Sequence, residues 1–108
     1  MGRDKERRLL RLQNLFRDEL SSIIMHDIKD PRVEGAVISR VEVERSLSRA
    51  VVYITPSDNQ ERILEGLDSA RGFLHQLLKK RLRLRVIPSL SFSVEDRYFV
   101  EEADKPDK

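Results

Sequence analysis

The sequence predicts an α+β domain in which one helical layer covers one face of a three-stranded sheet. Three observations carry this. Apolar residues recur at three- and four-residue spacing over a long first segment, two short β-type runs follow, and a second helical stripe precedes a last alternating run. The predicted order is helix, strand, strand, kinked helix, strand.

The first helix is expected over about residues 3–27. Leu9, Leu12, Phe16, Leu20, Ile23 and Ile24 form its apolar stripe, and charges fill the other face. No glycine or proline follows Gly2 in this stretch. Asp30-Pro31 ends it, because a residue before proline is pushed out of the helical region.

Two strands are expected next. Residues 36–44 place Val37, Ser39, Val41 and Val43 on one side and Ile38, Arg40, Glu42 and Glu44 on the other. Residues 45–49 are a polar connection. Residues 50–55 are rich in β-branched side chains and carry Tyr53. The two runs are expected to pair as an antiparallel hairpin. Pro56-Ser57-Asp58-Asn59 is turn chemistry that stops the second.

The second helical region is expected from residue 57 or 58 to 81. Ser57 and Gln60 have capping-box spacing. Ile63, Leu64, Leu67, Ala70, Leu74, Leu77 and Leu78 make its stripe. Gly72 lies near the middle beside the small Ser69 and Ala70, which together permit a kink or a close backbone approach. Residues 81–86 alternate, with leucines expected inward and Arg81, Arg83 and Arg85 outward, as the helix unwinds into an extended approach. Residues 89–94 alternate strictly and form the last strand, with Pro88 at its start. The expected domain is 1–100, and 101–108 is expected to be a polar, disordered tail.

Composition narrows the function classes. The chain has 108 residues, 37% of them charged and 39% hydrophobic. One domain with a small core is expected. There are no cysteines, so disulfides, thiolate metal sites and cysteine nucleophiles are excluded. The longest uncharged run, residues 86–94, is far too short for a membrane span, and the charged start has no signal-peptide pattern. A cytoplasmic protein without membrane association is expected. His26 and His75 have no second ligand near them in sequence, so no metal site is expected. No nucleophile elbow, phosphate loop or acid–base constellation appears. Neither catalytic residues nor a cofactor are expected.

The net charge of +2 hides an uneven distribution. Residues 71–85 carry Arg71, Lys79, Lys80, Arg81, Arg83 and Arg85 and no acid. A basic region on a nearly neutral chain points to an anionic partner. Cations near a helix C-terminus also compensate its dipole. Two would suffice for that, and the five between 79 and 85 exceed it. Arg3, Lys5, Arg7, Arg8 and Arg11 instead oppose the dipole of the first helix, which implies either fraying or a phosphate partner. Asp30-Pro31-Arg32 reads as a helix stop with a turn ion pair, with Arg32 as an RNA contact the other reading.

In its ordered combination of motifs the chain resembles bacterial ribosome-binding factor A. Asp30-Pro31-Arg32 follows the first helix. Val41-Glu42-Val43 leads into Leu47-Ser48-Arg49-Ala50-Val51-Val52-Tyr53-Ile54. Leu67-Asp68-Ser69-Ala70-Arg71-Gly72-Phe73-Leu74 lies in the second helical region, and Leu84-Arg85 precedes Pro88, Leu90, Phe92 and Asp96. The resemblance runs over about residues 7–96. It implies a type-II KH-like fold in which an Ala-x-Gly kink between two helices, here Ala70-Arg71-Gly72, replaces the usual GxxG loop. The nucleotide clamp of that loop is then reshaped, and binding leans on flanking arginines. The chain departs from the family at Ser46, His75 and Ser89, where an acid, a basic residue and a glutamate are usual. The segment after the last strand departs too.

The resemblance implies a non-catalytic assembly factor of the small ribosomal subunit, binding its RNA and assisting late maturation, including the 5′ end, with importance in the cold. The expected RNA-binding residues are Arg7, Arg8, Arg32, Ala70, Arg71, Gly72, His75, Lys79, Lys80, Arg81, Arg83 and Arg85. The expected partners are ribosomal RNA and ribosomal proteins of that subunit, met by a monomer. The alternative is a protein-interaction module that docks a partner on the long first helix or a sheet edge.

Overall fold

The computed structural model describes residues 2–96. The expected end of the domain at 97–100 and the tail at 101–108 lie outside the described residues. Helix α1 spans Gly2–His26, strand β1 Ile38–Val43, strand β2 Arg49–Ile54, helix α2 Gln60–Ser69, helix α3 Arg71–Leu82 and strand β3 Ser89–Val94. A short 3-10 turn, Pro31–Val33, links α1 to β1.

The α1 stripe reaches the core through Phe16, Leu20, Ile23 and Ile24, with Leu9 and Leu12 half-buried against it. Pro31 opens the 3-10 turn, and Asp30 caps it by accepting the Arg32 N–H at 2.9 Å. The turn Ser57–Gln60 forms only half of a capping box. Gln60 Oε1 accepts the Ser57 N–H at 3.2 Å, while α2 itself begins at Gln60 without a side-chain cap.

The sheet order is β1-β2-β3, with β2 antiparallel to β1 and parallel to β3. A parallel neighbour requires a long crossover, and α2 and α3 supply it. The expected face assignment of the first strand is corrected by a β-bulge at Ser39. Ile38 pairs with Ile54 while Arg40 pairs with Tyr53, so the register shifts by one residue between them. Ile38 therefore joins Val41 and Val43 in the core, and Val37 is left 58% exposed.

The helices cover one face of the sheet, over Val52, Ile54, Leu90 and the β1 side chains. Leu67, Leu74 and Leu78 are fully buried. Each is worth about 1.5–3 kcal/mol of transfer from water. Gln13 of α1 accepts the Val43 N–H at 2.9 Å, which satisfies a main-chain donor of the edge strand β1.

Candidate nucleic-acid interface

The second helical region is two helices, α2 and α3, that meet where the resemblance implies a kink. The break falls at Ala70, whose φ of −93° and ψ of 7° lie in the sparsely allowed region between helix and strand. Hydrogen bonding continues across it. The Ala70 N–H donates to Gly66 O and Leu67 O, and the Leu74 N–H donates to Ala70 O at 2.9 Å. The axis thus changes direction while these main-chain bonds are kept.

Gly72 follows in the first turn of α3. It is exposed, and a Cβ built on it meets nothing within 4 Å. No contact inside the fold requires a glycine there. Gly66 differs. A Cβ there would stand 2.7 Å from Val33 Cγ1 and 3.0 Å from Arg32 Cβ, so this glycine lets α2 lie directly on the 3-10 turn. Sequence reasoning weighed Gly72 alone, because the turn that approaches Gly66 is distant in the chain.

Leu74 and Leu78 aim α3 at the core. At about 100° per residue, Gly72, Gln76, Lys79 and Arg83 then share the opposite side, with Lys80 flanking them. The helix contains no acid. Lys79, Lys80, Arg83 and Arg85 are exposed and make no side-chain hydrogen bond or ion pair among the described residues. The helix runs to Leu82, one residue beyond the expected end. Arg83 stops it in the left-handed conformation, φ 56° and ψ 37°. Leu82 and Leu84 pack against the core while Arg83 and Arg85 point away from it, as the alternation predicted, but Arg81, expected outward with them, is held against α1 by its two carboxylate partners.

Four other candidate residues are engaged within the fold. Arg81 Nη1 donates to Glu19 at 3.3 Å and Nη2 to Asp27 at 2.6 Å. Burial works against its charge, but these two carboxylates hold its pKa above the ordinary arginine value. Arg71 pairs with Asp68. His75 Nε2 donates to Ile87 O at 3.0 Å, tying α3 to the approach to β3. Arg32 pairs with Asp30 at 2.7 Å, and that hydrogen bond, followed by the one from the Arg32 N–H, holds the Asp30 carboxyl below its usual range.

Arg7 and Arg8 are exposed and stand apart from this strip. They precede Ile23, whose level on α1 Arg81 reaches, by about 15 residues, or about 22 Å of helix. Arg8 lies in a groove between α1 and the β1–β2 connection, with Leu9, Leu12 and Leu15 on one wall and Leu47 on the other. Arg45 Nη2 bridges the two walls to Glu6 at 3.2 Å. The structure thus leaves Lys79, Lys80, Arg83 and Arg85 exposed, engages Arg71, His75 and Arg81 within the fold with Arg32 near α2, and leaves Arg7 and Arg8 at the far end of α1. No helix among the described residues is long and apolar enough to cross a membrane.

The sequence model of the ribosome-binding factor A family matches residues 8–106. Ribosome-binding factor A of Dictyoglomus thermophilum is 34% identical over 99 residues, which cover 88% of this chain and 81% of the relative. The crystal structure of ribosome-binding factor A from Thermus thermophilus is similar with a TM-score of 0.74 at 26% identity, covering 80% of this chain and 93% of that one. A homology model of the Thermus thermophilus factor, fitted into a cryo-EM map of its 30S complex, gives a TM-score of 0.65 at 24% identity, with coverages of 79% and 92%. These likenesses are consistent with the type-II KH-like architecture expected from the sequence.

Proposed function

This chain belongs to the ribosome-binding factor A family, and from that premise we propose that it binds the small ribosomal subunit through ribosomal RNA and assists late maturation of that RNA, including its 5′ end, without catalysing a reaction. One observation carries the RNA contact. Lys79, Lys80, Arg83 and Arg85 form an acid-free, unengaged strip beside the open Gly72. Such a strip on a rigid helix is suited to phosphates, whose neutralisation releases counterions. The family name and the 30S complex of the Thermus relative support the choice of partner.

In this reading residues 1–100 act as one RNA-binding domain of a monomeric cytoplasmic protein. Ala70 and Gly72 shape the approach of the RNA backbone. Arg71 and Arg32 join by exchanging a carboxylate for a phosphate. Arg81 and His75 hold α3 in place beneath the strip, and Arg7 and Arg8 reach a separate stretch of RNA.

The test is co-sedimentation of the protein with isolated small ribosomal subunits across a salt series. A Lys79→Glu, Lys80→Glu, Arg85→Glu variant, which leaves Arg81 in its ion pairs, runs beside it. Binding that falls steeply with salt and is lost in the variant is expected. Undiminished binding by a folded variant overturns the assignment of the strip.

The groove beside Leu47 favours a second reading, a protein-interaction module on the first half of α1. Leu15 and Leu47 are exposed at 46% and 44%. In that case binding is insensitive to salt, and Leu15→Asp abolishes it while the strip variant does not.

A further inference from the structure

The cationic strip does not account for Phe73. This residue follows Gly72 in the first turn of α3 and is 49% exposed, although its neighbour Leu74 is fully buried. It lies outside the stripe of Leu74, Leu77 and Leu78. An exposed phenyl ring on a helix whose four leucines are all buried or half-buried is unused apolar surface.

The surroundings of the ring limit what can cover it. Gly72 precedes it with no side chain and nothing within 4 Å of a built Cβ, so the approach on that side is open. Lys80 follows it by seven residues, which is within about 20° of two full helical turns and about 10 Å along the axis. Lys79 and Arg83 lie about 120° and 80° round the axis from the ring, on its Gly72 side, and α3 carries no acid. A neutral apolar partner gains nothing from these charges, and a basic one is repelled. A polyanion is attracted. Single-stranded nucleic acid is a polyanion that also offers a flat apolar face, because its unpaired bases stack on aromatic side chains. In a duplex those faces are already stacked on one another.

We propose that Phe73 is a stacking platform for one unpaired base, in an RNA strand whose backbone passes Gly72 and whose phosphates meet Lys79, Lys80 and Arg83. The inference rests on the RNA-binding reading above and sharpens it. The surface takes an unpaired nucleotide, and the cations alone do not define the ligand.

The chain contains no tryptophan, so Phe73→Trp introduces a single fluorescent reporter at the platform. The full chain, Phe73→Trp and Phe73→Leu are titrated with a single-stranded RNA of about twelve nucleotides and with the same strand in a duplex. Leucine keeps apolar bulk and removes the aromatic face. Phe73→Trp is expected to bind the single strand at least as tightly as the unaltered chain, with its fluorescence quenched by the single strand and not by the duplex. Phe73→Leu is expected to lose about tenfold or more in affinity for the single strand. Its salt slope should stay unchanged, because the phosphate contacts remain.

Equal affinity of Phe73→Leu and the unaltered chain for the single strand overturns the platform. So does an equal loss on single strand and duplex. Loss of subunit co-sedimentation with intact single-strand binding assigns the ring to a protein surface and overturns it as well. Failure of the unaltered chain to bind any RNA or subunit at low salt is a different result, which removes the RNA-binding reading itself. Because the ring is exposed, Phe73→Leu should melt with the unaltered chain, which separates lost stacking from lost folding.

Discussion

Arg81 Nη2 stands 2.6 Å from Asp27 Oδ2, so the end of α3 is clasped to the end of α1 by a single guanidinium that also reaches Glu19. This arginine lies within a run of cations that looks uniform in sequence, yet its role is internal. Arg81→Ala should lower the melting temperature, and Lys79→Ala and Lys80→Ala should not. The binding losses should rank the other way per unit of folded protein. Thermal melting beside subunit co-sedimentation reads both orders.

Gly66→Ala should destabilise the fold by about 1–2 kcal/mol. Alanine gains about 1 kcal/mol of helix propensity over glycine. Against that, its Cβ would meet Val33 Cγ1 at 2.7 Å, on a buried β-branched side chain that has little rotamer freedom to yield. Overpacking of this kind costs about 1–3 kcal/mol and wins when the 3-10 turn must move as well. Urea unfolding with an unchanged slope is the check.

Gly72→Ala should do the reverse. Nothing lies within 4 Å of the new Cβ, so the helix gains about 0.5–1 kcal/mol. Binding to small subunits should weaken all the same, because the added methyl group stands where the RNA backbone approaches. A variant that is more stable and binds less tightly cannot owe its loss to misfolding.

Glu95 gives the fold an acid-sensitive latch. It is a buried carboxylate that accepts from Arg40 Nε at 2.7 Å, Ser39 Oγ at 2.8 Å and the Asp96 N–H at 3.1 Å. Burial pushes its pKa up, but the hydrogen bonds from Arg40 and Ser39 outweigh burial and hold it below the ordinary glutamate range. The native carboxyl therefore releases its proton more readily than the unfolded one. Its contribution is present above the unfolded pKa and is lost as pH falls through the native one. Glu95→Gln should lower the melting temperature near neutrality and flatten its decline in acid, as a melting series against pH would show.

Local spacing made much of this protein legible. The stripe from Leu9 to Ile24 predicts α1 to within a residue or two of its observed ends, and the turn residues between 45 and 59 place the hairpin. Small residues around position 70 mark the break, although the apolar period runs through it and gives no sign that two separate helices form. The cations of residues 71–85 are visible as a cluster, but their division between surface and scaffold is not. Phe73 left a readable signal, an aromatic one position off the stripe of Leu74, Leu77 and Leu78.

The sequence by itself determined the element types, their order and the basic character of α3, because periodicity, turn chemistry and charge act over a few neighbouring residues. Tertiary structure decided the parallel placement of β3 beside β2 and the flip of Ile38 into the core at the Ser39 bulge. It also decided which arginine is spent on Asp27 and which glycine serves packing rather than access. Each of these depends on groups brought together from positions far apart in the chain. Their free energies arise from contact and exclusion of water, and no local pattern encodes either.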